Sequence, residues 1–241
     1  MLSVPADTNG PAPTDRRGAD EPHHHRHARD SPRRHRLSLI GSATGHAANT
    51  LTRPLQAAIE RLPVARETRA GYDRDKFTHW VDADGDCQDT RDEVLAAESL
   101  VPTRGCDIQG GRWRSAYDGV MTRQSAAFDV DHLVPLAEAW DSGARAWNTA
   151  TRQRYANDLR DGWTLIAVTA GSNRSKSDRD VAEWMPALDR CRYLRRWVAV
   201  KTRWHLTVDP LELRALRDQA SGCNNAPITV SPAVILRASG R

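Results

Sequence analysis

The segment Asp129-Val130-Asp131-His132 brings two carboxylates and an imidazole to the end of one apolar stretch. A carboxylate beside an imidazole has two uses. Either Asp131 orients a half-buried ring, or Asp131 ligates a hard divalent ion through oxygen while His132, neutral near pH 7, takes a proton from water. A second polar segment, Ser172-Asn173-Arg174-Ser175-Lys176-Ser177-Asp178, begins 40 residues after His132. Its Asn173 offers an amide oxygen as a neutral hard ligand, and Arg174 and Lys176 offer donors to phosphate oxygens. Taken alone, the segment also reads as a polar loop capping a helix.

These groups meet only if the chain positions them. Residues 126–130 read as a strand running into Asp131 and His132. In a regular strand 129 and 131 share a face and 132 takes the other, so the strand is expected to end or turn between Asp131 and His132, with Val134-Pro135 just beyond. Residues 163–168 form the strongest strand pattern in the chain. Ser172 then opens a polar turn leading to a helix at 180–184 that Pro186 stops. A strand ending in Asp-His, a second strand and an Asn at a helix start make a ββα layout.

Elsewhere the patterns predict a short helix at 73–80, a turn at 82–86, a helix at 90–99 capped by Asp89 or Thr90, and hairpin material at 105–119. Helices are expected at 136–140, 149–159 and 189–203, with a last one opened by Asp209-Pro210 and reaching about 219.

The chain resembles the HNH endonuclease family, in the subgroup of exported actinobacterial proteins related to the C-terminal nuclease domain of GmrSD-type restriction enzymes. The resemblance is carried by HWVDADGDCQDTRDEVLAAESLVP, FDVDHLVPLAEAWDSGARAW, YANDL, LIAV, NRSKSDRDVAEWMP and CRYLRRWVAVKTRWHL, across residues 62–223. The pieces around Asp131-His132 and Asn173-Lys176 are also similar to the HNH domain of CRISPR effector nucleases. The resemblance implies an α+β fold with a ββα-metal core, elaborated by further helices and a small N-terminal helix and hairpin section.

It also implies a phosphodiesterase site using one divalent cation, Mg²⁺ or Mn²⁺, that stabilises the leaving 3′ oxygen and the developing phosphorane charge. His132 would be the general base, Asp131 a metal ligand, and Asn173 a ligand or the residue that holds the site in shape. Asp129 would support the ligands as an acceptor or add one, and Arg174 and Lys176 would bind phosphate. The substrate would be nucleic acid, DNA before RNA, and the protein is taken as a monomer. One departure from the family pattern is visible: no His follows Asn173 in the last HNH position, and Lys176, which cannot ligate a metal while protonated, stands in that neighbourhood.

The remaining composition sets bounds. The 241 residues fit one domain with appendages, and no run of eighteen apolar side chains offers a membrane-spanning helix. All fourteen aromatic residues lie at or after Tyr72, whereas residues 1–60 hold six of the nine histidines. Residues 1–61 are therefore expected as a disordered tail or leader, 62–223 as the folded domain and 224–241 as a frayed tail. His23 to His25 and His27 read as part of the solvated tail. The net charge of +4 does not by itself establish a polyanion site.

Only Lys76, Lys176 and Lys201 stand against 32 arginines, which reads either as chance or as a hint that an ammonium is preferred at those positions. Cys87, Cys106, Cys191 and Cys223 form no CxxC pair, so two disulfides in a secreted or cell-envelope protein are expected, although a leader is not convincing and a cytoplasmic location stays open. Of three pairings the sequence-local one, Cys87 with Cys106 and Cys191 with Cys223, is favoured. Asp82, Asp84, Asp86 and Glu93 match EF-hand positions, but Cys87 replaces the required Gly, so a disulfide-tethered acidic turn is the reading. Against the enzyme stand an inactive exported protein binding nucleic acid or calcium, and a structural envelope protein.

Overall fold

The computed structural model describes residues 50–239. In chain order its elements are β1 (Leu51–Pro54), α1 (Leu55–Ile59), α2 (Thr90–Glu98), β2 (Gly110–Arg114), β3 (Met121–Gln124), β4 (Phe128–His132), α3 (Leu136–Asp141), α4 (Thr149–Ala156), β5 (Leu165–Thr169), α5 (Ala170–Lys176), α6 (Arg190–Arg203), α7 (Pro210–Ala220) and β6 (Pro227–Val230). The class is α+β. Strands pair antiparallel in three two-stranded sheets, β1 with β6, β2 with β3 and β4 with β5. Among the described residues no helix is long and apolar enough to cross a membrane.

Local chemistry explains where helices begin. Asp89 accepts from the amides of Arg91 and Asp92 to start α2, and Asp209 accepts from Leu211 and Glu212 to start α7, with Pro210 at the first position where its missing N–H costs nothing. The helix expected at 180–184 lies earlier. Thr169 caps α5 by accepting from the Ser172 amide, whereas Asp180 accepts from Ala182 and Glu183 to make only a turn. The helix expected at 73–80 shrinks to one 3₁₀ turn at Arg74–Lys76, and the hairpin continues past Gly119, whose φ of +76° suits a residue without Cβ.

Sheet β4–β5 lies between two apolar clusters. Phe128 and Val130 face Val94, Leu95 and Trp113 with Leu165 and Ala167, while Ile166 and Val168 face the larger cluster built on α1, α3, α6 and α7. Asp129 and Asp131 pair with Val168 and Ile166, so both carboxylates point to the larger cluster's side, where α5 covers them.

Both domain boundaries read from the sequence fall inside this fold. Leu55, Ala58 and Ile59 of α1 are core residues, and β1 needs β6 as its partner, so structure starts before residue 62 and continues beyond 223. The isolated aromatic map missed them because α1 is built from Leu, Ala and Ile. The His-rich segment at 23–27 lies outside the described residues.

The cysteines pair as Cys87–Cys106 and Cys191–Cys223. The first disulfide closes the acidic turn, in which Asp82 accepts from the amides of Gly85 and Cys87 and Asp84 from Asp86. The second ties the start of α6 to the residues after α7.

Candidate active site

His132 does not leave the strand. It pairs with Leu165 as the last residue of β4, so strand alternation sends its ring to the face opposite Asp131. The expected break between the two residues is absent, yet Asp131, His132, Asn173 and Arg174 all line one cleft of about 370 Å³. The cleft opens beside β4, whose second edge pairs with no strand among the described residues. Tyr72, Arg74, Ser177 and Asp178 complete much of its wall.

The imidazole is held by a cage. Its Nε2 lies 2.9 Å from the carbonyl oxygen of Ala156. A carbonyl only accepts, so Nε2 carries the proton and Nδ1 is left as the acceptor. Trp80 stacks on the ring at 5.5 Å and 29°, and Tyr155 lies on it at 6.4 Å and 24°. Burial pushes the pKa of His132 down to about 3, against the opposing pull of the Ala156 carbonyl, so the ring is neutral at pH 7.

The cage is itself pinned. Trp80 sits at φ +59°, a costly conformation for a bulky side chain. Asn157 holds its neighbourhood, accepting from the Val81 amide and the Thr90 hydroxyl and donating to the Thr78 carbonyl. Asp158, next along, accepts two hydrogen bonds from Arg203 and one each from Thr164 and Trp204. The end of α4 that presents the Ala156 carbonyl is thereby fixed from two sides.

On the other face, a strand and a helix meet in two paired contacts. Asn173 donates from Nδ2 to Asp129 at 3.0 Å, and Lys176 donates from Nζ to Asp131 at 2.9 Å. Residues i and i+3 of α5 thus match residues i and i+2 of β4. The Asn173 bond turns the amide nitrogen toward Asp129 and leaves its oxygen free to accept. Asp129 accordingly positions Asn173.

Lys176 corrects the sequence reading. Expected as a phosphate donor, it is 0% exposed, does not line the cleft, and also donates to the His132 carbonyl at 3.0 Å. The reason is its place on the inward face of α5, one turn beyond Asn173. Asp131 further accepts from the Tyr117 hydroxyl at 2.6 Å. Burial pushes the Asp131 carboxyl up and the Lys176 ammonium down, and their mutual attraction opposes both shifts. Arg174, by contrast, is exposed and lines the cleft.

The donor set suits a hard divalent ion. Asp131 has a second lone pair on each oxygen and Asn173 has a free amide oxygen, both in the cleft wall. Two carboxylates against one ammonium leave the group with an excess negative charge. Among cleft residues the sequence reading did not single out Tyr72 or Arg74; they arrive from the segment before α2, and nothing in their spacing connects them to β4. Arg91 of α2 donates to the Phe128 carbonyl at the start of β4 at 3.3 Å.

The family described as GmrSD restriction endonucleases, C-terminal domain, matches residues 97–218. The chain belongs to that family, which is of the HNH nuclease type. It is also 41% identical over 157 residues to an uncharacterized secreted protein of Arthroderma benhamiae, covering 64% of this chain and 76% of the relative. No solved structure matches the chain.

Proposed function

We propose that the protein is a metal-dependent endonuclease that hydrolyses phosphodiester bonds in nucleic acid, DNA before RNA. The observation that carries this reading is the neutral His132, locked through Nε2 to the Ala156 carbonyl, in one cleft with Asp131 and Asn173. His132 removes a proton from the attacking water through Nδ1, and the Ala156 carbonyl stabilises the imidazolium that results. Arg174 and Arg74, both exposed at the cleft, hold non-bridging phosphate oxygens and place the scissile bond. Asp131 and Asn173 would hold one Mg²⁺ or Mn²⁺, which supplies charge stabilisation at the leaving oxygen. Lys176 and Asp129 keep those two ligands in place. Two disulfides, together with the secreted relative, support export as the protein's location.

The test is digestion of supercoiled plasmid and of a matched RNA by the purified protein with Mg²⁺, Mn²⁺, Ca²⁺ or EDTA. Nicking that needs the metal and disappears in His132→Ala is expected. Equal nicking by parent and variant would return the protein to the inactive binding reading.

A further inference from the structure

Three buried side-chain polar atoms among the described residues have no hydrogen-bond partner: Glu67 Oε1, Asp141 Oδ1 and Tyr193 Oη. Two of the three belong to one group, because Glu67, Glu138 and Asp141 each bring a carboxylate oxygen within 4.8 Å of the other two. An orphaned buried acceptor is costly, and more so when charged, so two in one place call for a missing partner. We propose that Glu67, Glu138 and Asp141 bind a hard divalent cation, with calcium the best match, at a site separate from the catalytic cleft.

The chemistry of the three residues fits. Asp141 is 5% exposed; Arg69 donates to its Oδ2 at 2.6 Å, which leaves Oδ1 bare. Glu138 uses Oε1 for Lys201 and Ser142, leaving Oε2. Glu67 comes from the irregular segment between the Val64 bridge and Arg69, and its partial exposure gives an ion a way in. Oxygens bound to one Ca²⁺ at about 2.3–2.6 Å stand roughly 3–5 Å apart, and calcium accepts irregular carboxylate arrangements that magnesium does not.

Charge points the same way. Glu67, Glu138, Asp141, Asp178, Asp180 and Glu212 surround Lys201 and Arg69, a surplus of four negative charges when all are ionised. A proton is the rival occupant, since burial and then Glu138 push the Glu67 pKa up to about 8. A proton on Glu67 can serve one neighbouring carboxylate oxygen at most, whereas a cation takes an oxygen from all three residues at once, and the calcium titration separates the two occupants.

The experiment uses the full chain stripped with chelator. Calorimetric titration with Ca²⁺, thermal unfolding with and without Ca²⁺, and terbium luminescence sensitised by Trp140, the neighbour of Asp141, are compared for the parent, Glu67→Gln, Asp131→Asn and Asp84→Asn. Glu67→Gln loses no hydrogen bond, and relief of repulsion should leave its stripped form as stable as the parent or more so. Calcium stabilisation and the terbium signal are expected to survive in Asp131→Asn and Asp84→Asn and to weaken about tenfold or more in Glu67→Gln. No calcium response in the parent, an unchanged response in Glu67→Gln, or its loss in Asp84→Asn would overturn the assignment. None of these readouts depends on nuclease activity.

Discussion

The imidazole of His132 donates its Nε2 proton to the carbonyl oxygen of Ala156 at 2.9 Å, across a gap of 24 residues. That one bond decides the tautomer, and with it which nitrogen serves as base. His132→Ala is expected to lower plasmid turnover by about 10²–10⁴-fold while leaving the circular dichroism spectrum and divalent-ion binding close to the parent. A His132→Gln variant, which keeps a donor toward Ala156 but no basic nitrogen, should be as inactive as the alanine variant. Recovery of activity in the glutamine variant would mean that His132 is structural.

Trp80 acts through His132. Its ring covers the imidazole from a strained backbone, and that strain is kept by the Asn157 bonds on either side. Trp80→Ala is expected to cost about tenfold or more in turnover, with little change in metal affinity, because a loosened base spends less time aligned with the attacking water. The imidazole NMR signals of His132 report the cause directly. If they stay as sharp as in the parent while the rate falls, Trp80 contacts the substrate instead.

The Lys176–Asp131 pair makes a stability prediction. Both partners are buried, so Lys176→Met leaves an uncompensated carboxylate and should cost about 3–5 kcal/mol in urea unfolding. Adding Asp131→Asn removes the charge, and the double variant should regain much of that loss. A double variant as unstable as Lys176→Met alone would show that Lys176 contributes by packing rather than by pairing.

Much of the site was legible in the sequence, for reasons that can be named. Asp131, His132 and Asn173 stand where two strands and a helix bring them, and of the three lysines, which the sequence left open between chance and a preferred ammonium, Lys176 and Lys201 are both fully buried in ion pairs. The cysteine pairing was legible too, because each loop closes within one part of the chain. What was not legible depends on tertiary direction. Whether Lys176 faces a phosphate or Asp131 depends on which side of α5 is covered, and the cage of Trp80, Ala156 and Asn157 is assembled from segments with no shared period. The short α1 was hidden by the tail-like composition before it.

The N-terminal boundary can be tested by length. A chain starting at Thr50 keeps β1 and α1, whereas one starting at Leu62 loses the partner of β6 and the buried side chains of Leu55, Ala58 and Ile59. Burying a residue of that size is worth about 1.5–3 kcal/mol for the larger two, so the shorter chain should unfold at a much lower temperature or not fold. Equal melting temperatures for the two chains would restore residue 62 as the start of the fold.

Glu98 links the acid range to stability. Its carboxylate accepts from the Ala167 amide on the outer edge of β5 at 3.1 Å, and burial pushes its pKa up to about 7 against that bond. The folded state therefore binds this proton more tightly than the unfolded chain, whose Glu titrates near 4.3. Stability from this group is present in full below about pH 4.3 and is lost as pH rises toward about 7. The expected loss is about 1–3 kcal/mol, reduced by whatever water reaches the partly exposed side chain. Glu98→Gln keeps an oxygen for the Ala167 amide and removes the titration, so its urea midpoint should depend less on pH between 4.5 and 7 than the parent's and lie above it at pH 7.5. If parent and variant show the same slope across that window, Glu98 is ionised in the fold throughout and Arg192 and Arg196, whose charges lower its pKa, outweigh its burial.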